Sequence, residues 1–287
     1  MNNYINMSRL KYINDIKSSD LSVSRIVDAI DRRIRDIPDF LAWHLNTPFA
    51  KKNKKKLAAF HNIHTGKRCF IIANGPSLRQ TNLSLLKNEI TIGMNRIYLN
   101  SSETGFTPNY IVVHDIPVQL EQFRDDYDKL TLTKFFNWNA RKLFTKADNL
   151  AFIRSDFKPK FSTDLTKTSW GGHSVTNICI QLAYYMGFSE VYLVGKDHNY
   201  EQKGVPGKML YATGDEKNHF ASGYYKKGMG WRIPDYKGEE LAYRMAQECF
   251  IKTGRKIFDA TVKGRLQIFP KIDYYSLFQE SIGRPVF

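Results

Sequence analysis

Apolar residues recur along this chain with two different periods, and the alternation between them predicts the architecture. Over residues 22–45 the apolar positions Val23, Ile26, Val27, Ile30, Ile34, Ile37 and Leu41 return mostly at three- and four-residue steps, with Asp31, Arg32, Arg33 and Arg35 on the other flank. That spacing predicts an amphipathic helix, which Pro38 kinks or ends because proline brings no backbone donor. Short apolar runs at 68–73, 89–94, 110–114, 134–138, 150–153 and 190–194 then read as buried strands. Between them, 83–87 and 117–130 carry helical signals. Residues 174–186 open on a capping serine and stop before Gly187, and 239–253 reads as a late helix.

Strand, helix and strand in repeated succession predict an α/β fold with one Rossmann-like, doubly wound, mostly parallel sheet. Residues 1–60 form a basic, helical N-terminal extension, and 61–287 the Rossmann-like domain. From 199 to 236 the pattern fails: the stretch is rich in Gly, Lys and Tyr and longer than ordinary connections, as a lid-like insertion beside a ligand rim would be. The aromatic tail from Phe269 onward is expected to pack on the core.

Composition narrows the partners. The 287 residues, 42% of them hydrophobic, suffice for one substantial core. Lys and Arg number 43 against 28 Asp and Glu, a formal charge of +15 that favours phosphates, nucleic acid or an anionic membrane surface. Five of these lysines fall within residues 51–56, close to Phe40, Leu41 and Trp43. They predict either contact with anionic lipid headgroups or a solvated linker. Cys69, Cys179 and Cys249 lack metal-ligand spacing and read as reduced thiols of a cytoplasmic protein. No apolar run approaches the roughly 20 residues that span a bilayer, and residues 1–10 lack the layout of a signal peptide. The expected location is cytoplasmic, peripheral to the inner face of the membrane.

The candidate chemistry sits where strands end. Asn74, Gly75 and Ser77 follow the first strand. Asn95 and Arg96 follow the second, His114 and Asp115 the third, and Gly195, Asp197 and His198 the strand at 190–194. A glycine there lets the backbone approach a ligand, and a parallel sheet ending this way offers one rim for a nucleotide. Gly171, Gly172, His173 and Ser174 precede the most apolar helix, whose N-terminus favours a phosphate or carboxylate. The dinucleotide fingerprint is absent, since the first loop has one glycine and the next strand ends in Asn95 rather than an acid, so NAD is not expected. A Walker loop is absent as well. Either His–Asp pair has the chemistry to bind metal or orient a base, but no pair of acids ends a strand, and no essential metal is expected. His219, in the irregular insertion, is a general-base candidate because imidazole titrates near neutral pH.

The Ile-Ala-Asn74-Gly75-Pro76-Ser77-Leu78 loop, the strand ending in Asn95, the Gly-Gly-His-Ser helix start, the Tyr-Leu-Val-Gly195-Lys-Asp197-His198 segment and the later His219 resemble the bacterial sialyltransferases of the CstII type. They are equally similar to the related domain of Maf-type flagellin glycosyltransferases and of 6-hydroxymethylpterin pyrophosphokinase-like proteins, as are Asp259-Ala-Thr261 and Phe269-Pro270-Lys271. The resemblance covers about residues 68–274. It implies inverting, metal-independent transfer of a sialic-acid-like nonulosonic sugar from a CMP donor, with no cofactor, to a glycan or lipid-linked glycan acceptor. Asn74, Ser77 and Asn95 would then hold the donor; Gly172, His173 and Ser174 would meet its phosphate or carboxylate. Asp197 would touch the nucleotide, and His219 would be the base. The tyrosine that the family sets just after the aspartate is displaced here to Tyr200, which leaves Tyr200, Tyr211, Tyr224 and Tyr225 as equivalent candidates for the leaving phosphate.

Two other readings stand beside this one. An ATP- and magnesium-dependent pterin or nucleotide pyrophosphokinase would use Asp115 and Asp197 at the rim. A nucleic-acid-binding protein would account for the charge, but the cations are scattered, no recognised binding motif occurs, and no nucleic acid is expected as partner.

Overall fold

The computed structural model describes residues 23–144, 147–200, 204–214 and 217–281. Residues 1–10, where the sequence lacks a signal-peptide layout, and Ser22 of the first helix lie outside these. Two helices open the described chain, α1 (Val23–His44) and α2 (Pro48–Ala58). Strands β1 (Arg68–Ile72), β2 (Ile90–Met94), β3 (Tyr110–Val113), β4 (Thr133–Asn137) and β5 (Leu150–Ile153) follow, then a short parallel pair, β6 (Ser155–Asp156) and β7 (Ser169–Trp170). Helix α3 (Val175–Tyr185) leads into β8 (Glu190–Val194). The antiparallel β9 (Met209–Tyr211) and β10 (Gly230–Arg232) come next, followed by α4 (Tyr236–Lys252) and β11 (Lys256–Asp259).

The main sheet has seven strands in the order β11-β8-β1-β2-β3-β4-β5, and its pairings are all parallel. The chain moves outward from β1 through β5 and then returns to lay β8 and β11 on the other side of β1. The strand order therefore reverses between β1 and β8, and at the carboxyl ends of such a sheet a ligand crevice opens at the reversal. Strand β11 carried no clear sequence signal, being four residues with an exposed Lys256 and a buried Asp259.

Short, largely buried runs make the strands of the main sheet, and α3 packs against β1, β2 and β3. Residues Thr176 to Tyr185 of α3 are all buried. Among the aromatic residues of the sheet, Phe70, Tyr192 and Phe258 stand in register across β1, β8 and β11, with ring centroids 5.1 and 5.4 Å apart. Tyr274 and Phe278 of the tail lie against Phe70, so the aromatic tail packs on the core as its composition predicts.

Two helical expectations change form. Residues 83–87 give only a 3₁₀ turn, Leu83–Leu86. Residues 117–130 divide into a π-turn, Ile116–Glu121, and a short helix, Arg124–Lys129, separated at Phe123 by a backbone at φ −123° and ψ 29°. Phe123 leaves the helical path with its ring 3.9 Å from the Arg96 guanidinium, and Asp125 and Asp126 open a new helix where acids favour an N-terminus.

Helix α1 runs through Pro38 without ending, and polar groups anchor it. Buried Asp36 receives Arg154 at 2.7 Å and Asn139 at 2.8 Å. The Trp138 indole donates to Asp39 O at 3.0 Å, and that of Trp43 to Lys167 O at 2.6 Å. Trp43, expected near lipid, is buried edge-on to Trp138. The lysine-rich segment is neither coil nor linker but helix α2, capped by Thr47 and started by Pro48. Lys54 and Lys56 are engaged on the carbonyls of Trp43 and Ala147, while Lys51, Lys52 and Lys55 are exposed. No helix among the described residues is long and apolar enough to cross a membrane.

Removing one partner of a buried ion pair leaves the other charge unpaired. Arg154→Met, which strands Asp36 beneath α1, is expected to lower unfolding stability by about 3 kcal/mol in denaturant titration.

Candidate functional site

At the crevice, β1 and β8 are drawn together by backbone bonds from Ala73 N to Val194 O at 2.8 Å and from Gly75 N to Gly195 O at 2.9 Å. Gly75 is obligatory there, because a Cβ would lie 1.8 Å from Asp197 Oδ2. Asp197 in turn accepts from Ser77 N at 3.2 Å and Ser77 Oγ at 2.8 Å. The short 3₁₀ turn Pro76–Gln80 thus meets the protein's own carboxylate with the amide that sequence reasoning offered to a ligand. Burial pushes the Asp197 carboxyl above its ordinary value, against the pull of the two Ser77 bonds.

A cleft of about 1090 Å³ opens over these loops. Of the residues singled out from sequence, Asn74, Gly75, Asn95, His114, Asp115, Gly171, His173, Ser174, Gly195, Asp197, His198, Tyr200, His219 and Tyr225 line it. The cleft brings together residues as far apart in the chain as Asn74 and Tyr225. Asn74 is held by a bond from Nδ2 to Met94 O at 3.0 Å, yet its Oδ1 and that of Asn95 are buried with no hydrogen-bond partner among the described residues. Asn95 has a positive φ of 47°, a conformation asparagine tolerates better than most residues.

His219 enters from the insertion. Its ring stacks on Tyr224 at 3.9 Å and 7°, and Nε2 lies 3.2 Å from Tyr200 Oη. Arg79 donates to the carbonyls of both His219 and Phe220, which fixes the loop to the turn after β1. Within the stretch expected as a lid, Asn218, Phe220, Ala221, Tyr224 and Tyr225 are buried, and β9 and β10 form an antiparallel ribbon whose Tyr211 is exposed.

The other histidines divide by role. His114 is pushed down to about 4 by burial and, secondarily, by the Arg154 charge, so it is neutral near pH 7. His173, at φ 62°, sets Nδ1 3.0 Å from Asp235, the residue that caps α4. His198 is lowered by burial and by Lys196, although Glu239 and Glu240 oppose this.

Five expected residues stand outside the lining. Ser77 acts through Asp197. Arg96 is buried behind the wall, donating to Tyr98 Oη and to the Tyr224 carbonyl. Gly172, at φ 57°, packs against Ala242 and Asn177. Tyr224 is buried beneath His219, and Tyr211 on β9 is 70% exposed. For Arg96 and Tyr224 the reason is burial: a guanidinium and a phenol used to build the wall are unavailable to a ligand in the cleft.

The cleft also contains residues that sequence reasoning passed over. Burial alone would lower the Lys196 pKa, but the Glu239 carboxylate 2.8 Å away reverses this and holds it above its ordinary value. Lys196 lies inside the quoted strand-end motif, so its position was legible; Glu239 comes from α4 and Arg32 from α1, and neither had a local signal. Among the described residues, no group of three or more His, Cys, Asp and Glu side chains is arranged to hold a metal ion.

A parallel α/β sheet with a polar cleft over its carboxyl ends, at the reversal between β1 and β8, defines a Rossmann-like protein. The chain belongs to the 6-hydroxymethylpterin diphosphokinase MptE-like family, which matches residues 45–203. No curated protein matches it. Among solved structures it is similar to the MAf glycosyltransferase from Magnetospirillum magneticum AMB-1, with 13% identity and a TM-score of 0.46 over 78% of this chain. It spans 38% of that protein's length. A mammalian sialyltransferase in complex with Gal-beta-1-3GalNAc-ortho-nitrophenol has 12% identity and a TM-score of 0.36, over 75% of this chain and 79% of its own.

Two outcomes test this geometry. The ordinary histidine value is 6.5, and His114 holds about 4 in the fold, so the unfolded chain binds the proton first. Stability is complete above the unfolded value and falls as pH drops through this window, by up to about 3 kcal/mol. The difference between wild type and His114→Asn in denaturant titrations at stepped pH measures it. Gly75→Ala, which forces a carbon against Asp197, is expected to cost about 2 kcal/mol in the same assay at neutral pH.

Proposed function

We propose that this protein is an inverting glycosyltransferase that moves a sialic-acid-like, nonulosonic sugar from a CMP donor to a hydroxyl of a surface glycan, without an essential metal. The observation that carries the reading is the pair of unpartnered carboxamide oxygens, Asn74 Oδ1 and Asn95 Oδ1, in residues that line the same cleft as His219. Buried acceptors without donors are costly, and the amino and hydroxyl groups of a cytidine nucleotide would satisfy them.

In this reading His219 Nε2, oriented by the Tyr200 hydroxyl and the Tyr224 ring, takes the proton from the acceptor hydroxyl. The acceptor oxygen bonds to the anomeric carbon while the bond from that carbon to the phosphate oxygen breaks, its electron pair leaving with CMP. Gly171, His173 and Ser174, where the chain turns into α3, receive the departing phosphate. Asp197 keeps the β1 and β8 loops in register beneath the nucleotide. The acceptor is a glycan or lipid-linked glycan, and exposed Lys51, Lys52 and Lys55 supply the contact with an anionic membrane surface at the cytoplasmic face.

A second reading rests on the family's description. Diphosphoryl transfer from ATP would bring Mg²⁺ to Asp115 and Asp197, whose carboxylates here are engaged by Arg232 and Ser77.

Thermal unfolding with CMP, CMP-sialic acid, UDP, GDP and ATP with magnesium separates the two. Stabilisation confined to the cytidine ligands, about 2.7 kcal/mol at 100 times the dissociation constant, is the expected result. A shift with ATP and magnesium alone would favour diphosphoryl transfer. His219→Ala should lower sugar transfer by about 10²- to 10⁴-fold while the CMP shift persists; unchanged turnover would remove His219 from the base role.

A further inference from the structure

The ring of His173 is set into the cleft wall by several independent contacts. Its backbone stands at φ 62°, which residues with a side chain seldom adopt. Nδ1 lies 3.0 Å from Asp235 Oδ2, and Asp235 is itself fixed, since its Oδ1 accepts from Gly238 N at 3.0 Å. The ring occupies the space that a side chain at Gly238 would need: a Cβ there would stand 2.4 Å from His173 Cδ2. Trp170 meets the ring edge-on at 6.1 Å. Nε2 makes no hydrogen bond among the described residues, and the side chain is 39% exposed. An imidazole held on one nitrogen by a carboxylate has its other nitrogen left for a ligand.

Inverting transfer places the entering and departing oxygens on opposite faces of the anomeric carbon, so one imidazole cannot serve both. His219 comes from the insertion after β8, and His173 from the turn between β7 and α3. The remaining cleft histidines are unsuited to give a proton. His114 is pushed down to about 4 by burial, and His198 is lowered and sets Nε2 3.3 Å from Glu240. Resting on the transfer proposed above, we propose that His173 is its general acid and that Asp235 is the residue that positions it. The bond from the anomeric carbon to the phosphate oxygen breaks, its electron pair stays on that oxygen, and the oxygen takes the proton from Nε2 of the imidazolium. The ring is left neutral with Nδ1–H on Asp235. It regains a proton from water after CMP departs, while His219 returns the acceptor's proton to water.

CMP release from CMP-sialic acid, with water as acceptor, tests this at stepped pH. His173→Gly suits the φ of that position and keeps the fold, and Asp235→Asn keeps a cap for α4. The expected result for His173→Gly is a kcat about 10²- to 10³-fold lower, with KM for the donor within about threefold of wild type. About 50 mM imidazole should restore at least tenfold of that loss. Lys237 and Glu239 flank Gly238 and also line the cleft, and His114 Nε2 lies 3.5 Å from where a Cβ on Gly171 would stand. The alkaline limb of kcat therefore belongs to His173 if the glycine variant lacks it. Asp235→Asn should lower kcat about tenfold in wild type and have no further effect in His173→Gly, because it acts through that ring. An unchanged kcat in His173→Gly, or a raised KM alone, would overturn the acid role, as would a retained alkaline limb without imidazole rescue. Equal losses from Asp235→Asn in both backgrounds would overturn the positioning role. A wild type that releases no CMP would overturn the transfer reading itself, and the acid with it.

Discussion

The site depends on one close approach: the Asp197 carboxylate, at the end of β8, rests where a side chain at Gly75 would stand and takes both the amide and the hydroxyl of Ser77. Charge, hydrogen bonding and the absence of a Cβ act together at that point, in the centre of the sheet where strand order reverses. The β1 turn then presents Asn74 to the cleft, and Arg79 on the same turn ties down the loop carrying His219. A loop-borne imidazole and a strand-end carboxamide, 145 positions apart in the chain, so acquire a fixed relation through a single carboxylate and a single arginine.

Much of this was legible in the sequence, for a physical reason. Buried parallel strands are short, uninterrupted apolar runs, and the groups at their ends are polar because they face a cleft; both properties are local. Asn74, Asn95, His114 and Asp197 could be found that way. What was not legible came from tertiary contacts. Arg96 and Tyr224 have the chemistry of ligand-binding residues and are consumed in wall building, the guanidinium against Phe123 and Tyr224, the phenol under His219. Glu239 and Arg32 reach the cleft from helices whose periodicity says only that they are helices. The insertion lacked a period because its described residues are mostly neither helix nor regular sheet, yet Asn218, His219, Phe220, Ala221, Tyr224 and Tyr225 are buried.

Helix α1 shows how far pattern alone can mislead. Its hydrophobic period is correct and its orientation is the reverse of the usual one: an aspartate and a tryptophan are held by Arg154 and Lys167, while the aliphatic row stands exposed. The face of this helix that meets the body carries Asp36 on Arg154 and Trp43 edge-on to Trp138.

The stacking of His219 on Tyr224 has one more implication. Tyr224 is also the residue whose carbonyl and hydroxyl hold Arg96, directly after β2. The imidazole is therefore carried by the same wall that ends the sheet, and its position is set as the chain folds rather than when a ligand arrives. The outer ribbon of β9 and β10 is free of that duty, so its side chains can change while the imidazole stays where the core puts it.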